Sequence, residues 1–151
     1  MSKQRIENSF PDLSANNYSI TSPATTEYNC IAWAAGDTEK WWWPDPLYVD
    51  YWPSEAPRTD SLQSFIKAYE TLDYAVCDSV VYEDGFEKVA IYVDYAGKPT
   101  HVARQLSSGY WTSKLGDWED IEHNVLNSII GSQYGSVATI LKRPTKKPSS
   151  S

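Results

Sequence analysis

The chain has 151 residues, enough for one domain that buries its own core without disulfides. Thirteen Lys and Arg against twenty Asp and Glu give a net charge of −7, and the only basic groupings are Lys142-Arg143 and Lys146-Lys147. This balance excludes a binder that works by neutralising phosphates, so no nucleic-acid partner is expected. No window approaches the ~18 apolar residues of a membrane span, and Met1 to Asn8 lacks the apolar core of a secretion signal. No membrane partner is expected, and the expected location is the cytoplasm, with export by a dedicated system left open.

Seven Trp and eleven Tyr against three Phe favour rings with a polar tip, the kind that line grooves as well as cores. Residues 1–24 are polar and read as a loop-rich segment, with Asn16-Asn17 and Ser22-Pro23 as turn signals. A single domain is expected over 25–143, followed by a flexible tail over 144–151.

Thr25 to Gly36 reads as a polar loop running into a short apolar helix that opens at Cys30 and stops at Gly36-Asp37. A thiol at that position sits among unpaired backbone N–H groups, and its pKa can fall from about 8.5 into the range ~3.5–7.5. Residues 37–58 hold four tryptophans and four prolines, which forbid a long helix and fix extended or turn shapes. Most of these rings are expected to cap the core, while Trp42 or Trp43 could wall a substrate groove beside Cys30.

Asp60 to Leu72 repeats apolar residues at helical spacing, with Asp60 and Gln63 as a start signal. From residue 79 the period turns strand-like: Ser79–Glu83, Glu87–Val93, His101–Leu106 and Tyr110–Leu115 are predicted strands, with turns at Tyr95–Lys98 and Ser107–Gly109. Tight loops between short strands mean an antiparallel meander. Asp117 to Ile130 is a predicted helix, with Asp117 as N-cap and Trp118, Ile121, Val125 and Ile129 facing inward. Ser136–Leu141 is the last strand.

Cys30 and Cys77 are not expected to pair, since nothing marks the chain for export. No CxxC or Cys/His grouping has zinc spacing, so neither metal nor cofactor is implied. The available partner for Cys30 is His101, at the start of its strand; an imidazole with pKa near 6.5 moves protons in both directions at neutral pH.

The segments Asn29-Cys30-Ile31-Ala32-Trp33-Ala34, Lys88-Val89-Ala90-Ile91-Tyr92-Val93 and Thr100-His101-Val102-Ala103, in that order, resemble the papain-like cysteine hydrolases of the NlpC/P60 and CHAP type over roughly residues 25–115. The chain is also similar to a bacterial family sharing the cysteine, Trp41-Trp42-Trp43-Pro44 and Trp111-Thr112-Ser113-Lys114-Leu115-Gly116 patches, which supplies no activity. The first resemblance implies an α+β papain-like fold, with an antiparallel sheet packed against a nucleophile-bearing helix and two further helices. It also implies a cysteine amidase or peptidase acting on a peptide or isopeptide bond, with Cys30 as nucleophile and His101 as base and then acid.

The resemblance further implies a third polar residue, on the strand after the histidine, that orients the imidazole. A three-residue Ser107–Gly109 loop puts Ser113 on the face of His101, together with Ala103, Gln105 and Trp111; a two-residue loop puts Thr112 and Lys114 there instead. The oxyanion would be held by the Cys30 N–H with Asn29 or Thr26. Asn29, Trp42, Trp43 and Trp111 are the expected substrate-binding residues.

Each of these residues also has a structural reading. A cysteine in an apolar helix is commonly just buried, His101 could serve the sheet alone, and His123 reads as a solvated helix histidine. The alternatives to a hydrolase are an inactive papain-like binding module, whose Trp-rich loop grips a peptide, glycan or protein, and a toxin or immunity component.

Overall fold

One antiparallel seven-stranded sheet organises the computed structural model, which describes residues 6, 8, 10, 18–22, 28–37, 39–45, 47–106, 108–114, 120–123, 126 and 135–145. The elements in chain order are β1 (Tyr18–Ser22), α1 (Cys30–Ala34), α2 (Leu62–Glu70), β2 (Ala75–Cys77), β3 (Phe86–Val93), β4 (Pro99–Gln105), β5 (Trp111–Lys114), β6 (Asp120–His123) and β7 (Ser136–Pro144). Across the sheet they run β1-β6-β5-β4-β3-β7-β2, so the fold is mixed α+β. None of the described helices is long and apolar enough to cross a membrane.

The sheet is covered on both faces. On one, Val89, Ile91, Val102 and Leu141 pack with α1, α2 and the Trp-rich loop. On the other, Ala90, Tyr92, Ala103, Trp111, Ile121 and Ile140 pack with Ile6 and Phe10. Alternate residues of a strand point to opposite faces, so a two-sided core can bury consecutive positions of the central strands. Val89 to Tyr92 are fully buried in consequence.

The β4–β5 hairpin takes the three-residue form. Leu106 N donates to Tyr110 O at 2.7 Å, Gly109 lies at φ +90°, and Arg104 and Gln105 pair with Thr112 and Trp111. The Tyr95–Lys98 turn also forms, with Asp94 Oδ1 accepting from Ala96 N and Lys98 N.

Four expectations are corrected. The loop-rich reading of residues 1–24 misses β1, which pairs with β6 at one edge of the sheet. The helix expected over 117–130 is a strand at Asp120–His123, the rest of that span apart from Leu126 lying outside the described residues. Ile121 and His123 alternate with Glu122, and ladders to both β5 and β1 override the helical spacing.

The strand expected at Ser79–Glu83 is a loop wound around Lys88, whose buried ammonium takes the carbonyls of Ser79 and Val81 at 2.8 and 2.7 Å and the Glu83 carboxylate at 2.7 Å. Those carbonyls serve a cation, and the strand at this edge is Ala75–Cys77 instead. Finally, α2 is capped by Ser61 Oγ, which accepts from Ser64 N at 3.2 Å, rather than by Asp60.

Candidate functional site

The five residues of α1 make a short helix, and its position comes from one side chain. Asn29 Oδ1 accepts from Ala32 N at 3.1 Å, capping the helix, and from Trp42 N at 3.2 Å, while Asn29 Nδ2 donates to Trp42 O at 2.7 Å. A buried primary amide thereby ties α1 to the Trp-rich loop as a strand neighbour would. Further along α1, Trp33 Nε1 donates to Thr112 Oγ1 at 3.1 Å, the Arg104 guanidinium lies over the Trp33 ring, and Tyr69 OH donates to Ile31 O at 2.6 Å. The contacts of Trp33 seat α1 on β4 and β5, and that of Tyr69 ties it to α2.

The loop from 37 to 58 is equally fixed. Trp42 is core: its ring meets Tyr51 and Trp52, and its Nε1 donates to Asp37 Oδ2 at 2.9 Å. Burial raises the Asp37 pKa, but that hydrogen bond, the Glu39 N–H and Lys40 outweigh it and hold the carboxyl below its usual range. Asp45 accepts from Val49 N and Asp50 N at 2.8 and 2.9 Å, bonds that with the Arg58 charge keep its carboxyl low. Arg58 also donates to the carbonyls of Asp45 and Asp50 at 2.8 and 2.9 Å and stacks on Tyr48.

Held in this way, the tip presents Leu47, Tyr48 and Val49 to solvent at 81, 76 and 78% exposure, with Tyr48 at φ +58°. Between α1 and this loop lies a cleft of about 380 Å³, whose lining includes Asn29, Cys30 and Ile31 from the α1 side and Trp41, Trp43 and Asp50 from the loop, with Thr100 of β4. A second hollow of about 450 Å³ lies against Tyr48, Trp52 and Arg58.

Cys30 is 6% exposed and packs with Val102 in the core on the α1 side of the sheet. Burial pushes its thiol up to about 11, against the opposing pull of the Val102 and Ile31 backbones and of Lys114. The lowered thiol pKa expected at a helix start is thus reversed. Five residues make only about one and a half turns of aligned peptide dipoles, too little to offset desolvation.

His101 stands one residue from Val102 on β4 and therefore on the other face. It pairs with Tyr92 across β3 and β4, and the two rings meet edge to face at 5.3 Å in the second core. The sheet lies between the Cys30 sulfur and the His101 imidazole, so the expected dyad is not assembled. Burial, with His123 nearby, holds the His101 pKa well below its usual value.

Ser113 does share the face of His101, but its Oγ lies 2.8 Å from Nε2 of His123. His123, read from sequence as solvated, is fully buried on β6. Trp111 belongs to this second core as well and is not a cleft residue. Of the expected site residues the cleft thus holds Asn29, Cys30 and Trp43, and it adds Trp41, Asp50 and Thr100, which sequence reasoning did not select. An Asp following an apolar triplet in a Pro-bounded aromatic loop was the available signal for Asp50.

Among the described residues no group of three or more His, Cys, Asp or Glu side chains could hold a metal ion. Cys30 and Cys77 are both free thiols. No curated protein and no solved structure matches the chain. Residues 19–142 match the family model of a domain of unknown function, DUF7689, which spans the sheet and the cleft alike, and the chain belongs to that family.

Proposed function

We propose that the chain is a binding module: a papain-like frame that keeps the cysteine-bearing helix and the antiparallel sheet, does no hydrolysis, and docks a polypeptide partner on its Trp-rich loop. The observation that carries this reading is the loop tip. Three consecutive apolar side chains stand in water, one of them on left-handed backbone, while Asp45 and Arg58 supply the polar contacts that brace the backbone on either side of the tip. Exposed apolar side chains clustered on a rigid support mark interaction surfaces.

The hydrolase reading draws on the same frame, and two features oppose it. The thiol is held protonated by burial, and the histidine that would deprotonate it belongs to the other core.

A random 12-residue peptide display library panned against the immobilised full chain tests the proposal. A convergent set of peptides is expected, retained by the native chain and lost on a Leu47→Ser, Tyr48→Ser, Val49→Ser variant whose circular dichroism is unchanged. No convergence, or equal retention by the variant, would overturn it.

A further inference from the structure

The cleft beside the tip has a chemical bias. Trp41, Trp43 and Asp50 all line it, and among the described residues no Lys or Arg does. The main chain of Asp50 is fully engaged, its N–H donating to Asp45 and its carbonyl accepting from Arg58. Its carboxylate, by contrast, has no hydrogen-bond or ion-pair partner among the described residues.

The cations of this loop are already committed: Lys40 lies 3.3 Å from Asp37, and Arg58 lies 3.2 Å from Asp45. Trp43 is braced edge to face against Phe65, so its ring is fixed in place. Indole faces attract cations through the ring quadrupole, and a carboxylate at the same opening supplies the counter-charge. The chain as a whole, at −7, draws positive ligands toward it.

We infer that this cleft receives a Lys or Arg side chain of the partner polypeptide, seated against Trp41 and Trp43 and paired with Asp50. The inference rests on the docking reading given above and adds its specificity. A polypeptide is the source of the cation because Asp50 directly follows Leu47-Tyr48-Val49, so tip and cleft adjoin along the loop and one extended segment can present an apolar residue to the first and a basic one to the second. The volume of about 380 Å³ accommodates a long basic side chain with its aliphatic stem against the rings.

The panned peptides decide the matter. Each is expected to carry a basic residue at a constant offset from an apolar one. A synthetic peptide of the consensus should bind Asp50→Asn, a variant that keeps both backbone bonds of residue 50, at least tenfold more weakly than the native chain. Replacing the basic residue of the peptide by Gln should cost the native chain a similar factor and cost Asp50→Asn nothing more. That second comparison uses the native fold and keeps the test independent of any defect in the variant. Convergent peptides without a basic position, or a Gln peptide that binds the native chain as well as its parent, would overturn the cation assignment and leave the docking reading standing. Absence of any convergent peptide would overturn both.

Discussion

The side-chain amide of Asn29 pairs with the backbone of Trp42, accepting from its N–H and donating to its C=O, thirteen residues apart in the chain. One residue thereby sets the start of α1 and one wall of the cleft together. Asn29→Ala removes a helix cap and leaves buried backbone groups of Trp42 unpaired. The expected loss of stability is about 2–4 kcal/mol, read from urea unfolding. Asn29→Asp keeps the acceptor but loses the donor to Trp42 O, and should remain well below the native chain.

Thiol chemistry separates a nucleophile from a buried side chain. With its pKa near 11, Cys30 is thiolate at roughly the one-in-a-thousand level at pH 8. Iodoacetamide is expected to modify the half-buried Cys77 first, and His101→Gln should leave the Cys30 rate unchanged. Mass spectrometry of alkylated peptides across pH 6–10 checks both outcomes. Fast labelling of Cys30 below pH 7 would restore the hydrolase reading.

Acid should unfold the chain through its second core. The pKa of His101 is depressed by burial and then by His123, so the folded state disfavours the imidazolium that the unfolded chain accepts freely near pH 6.5. Stability from this source is complete above pH 6.5 and is lost as the pH falls below it, at up to about 1.4 kcal/mol per pH unit. Urea midpoints for the native chain should decline between pH 7 and pH 5. For His101→Gln, whatever its absolute stability, that decline should be shallower.

Gly135 enters β7 at φ +76°, and a Cβ there would stand 1.9 Å from the carbonyl oxygen of Val93. Backbone cannot yield as a side-chain tip does. Gly135→Ala is therefore expected to cost at least ~2–3 kcal/mol and to shift the β3–β7 pairing, visible as a lowered thermal midpoint.

Local features were legible where few residues decide them. Gly97 and Gly109 mark their turns, and the three-residue hairpin correctly puts Ser113 on the face of His101. Which face of the sheet would receive α1 was not legible. In a sheet buried on both sides, Val102 and Ala103 are both apolar, and their alternation carries no mark of which one meets the helix. A wrong parity in β4 is enough to separate Cys30 from His101. The stretch around Ile121 misled for a related reason: its spacing fits a helix, and only the pairing partners β1 and β5, distant in the chain, make it a strand. Lys88 hid in a run read as β3, where nothing announces that its ammonium would unmake a neighbouring strand.

The two margins of the sheet carry a further consequence. β2 offers only three residues before the chain turns away around Lys88, and β1 at the far side breaks register between Ile20 and Ser22. Among the described residues neither border presents a long, regular row of peptide groups on which another molecule could extend the ladder. Central strands this apolar have the composition of a fibril core, and borders this short and irregular disfavour edge-to-edge growth from them.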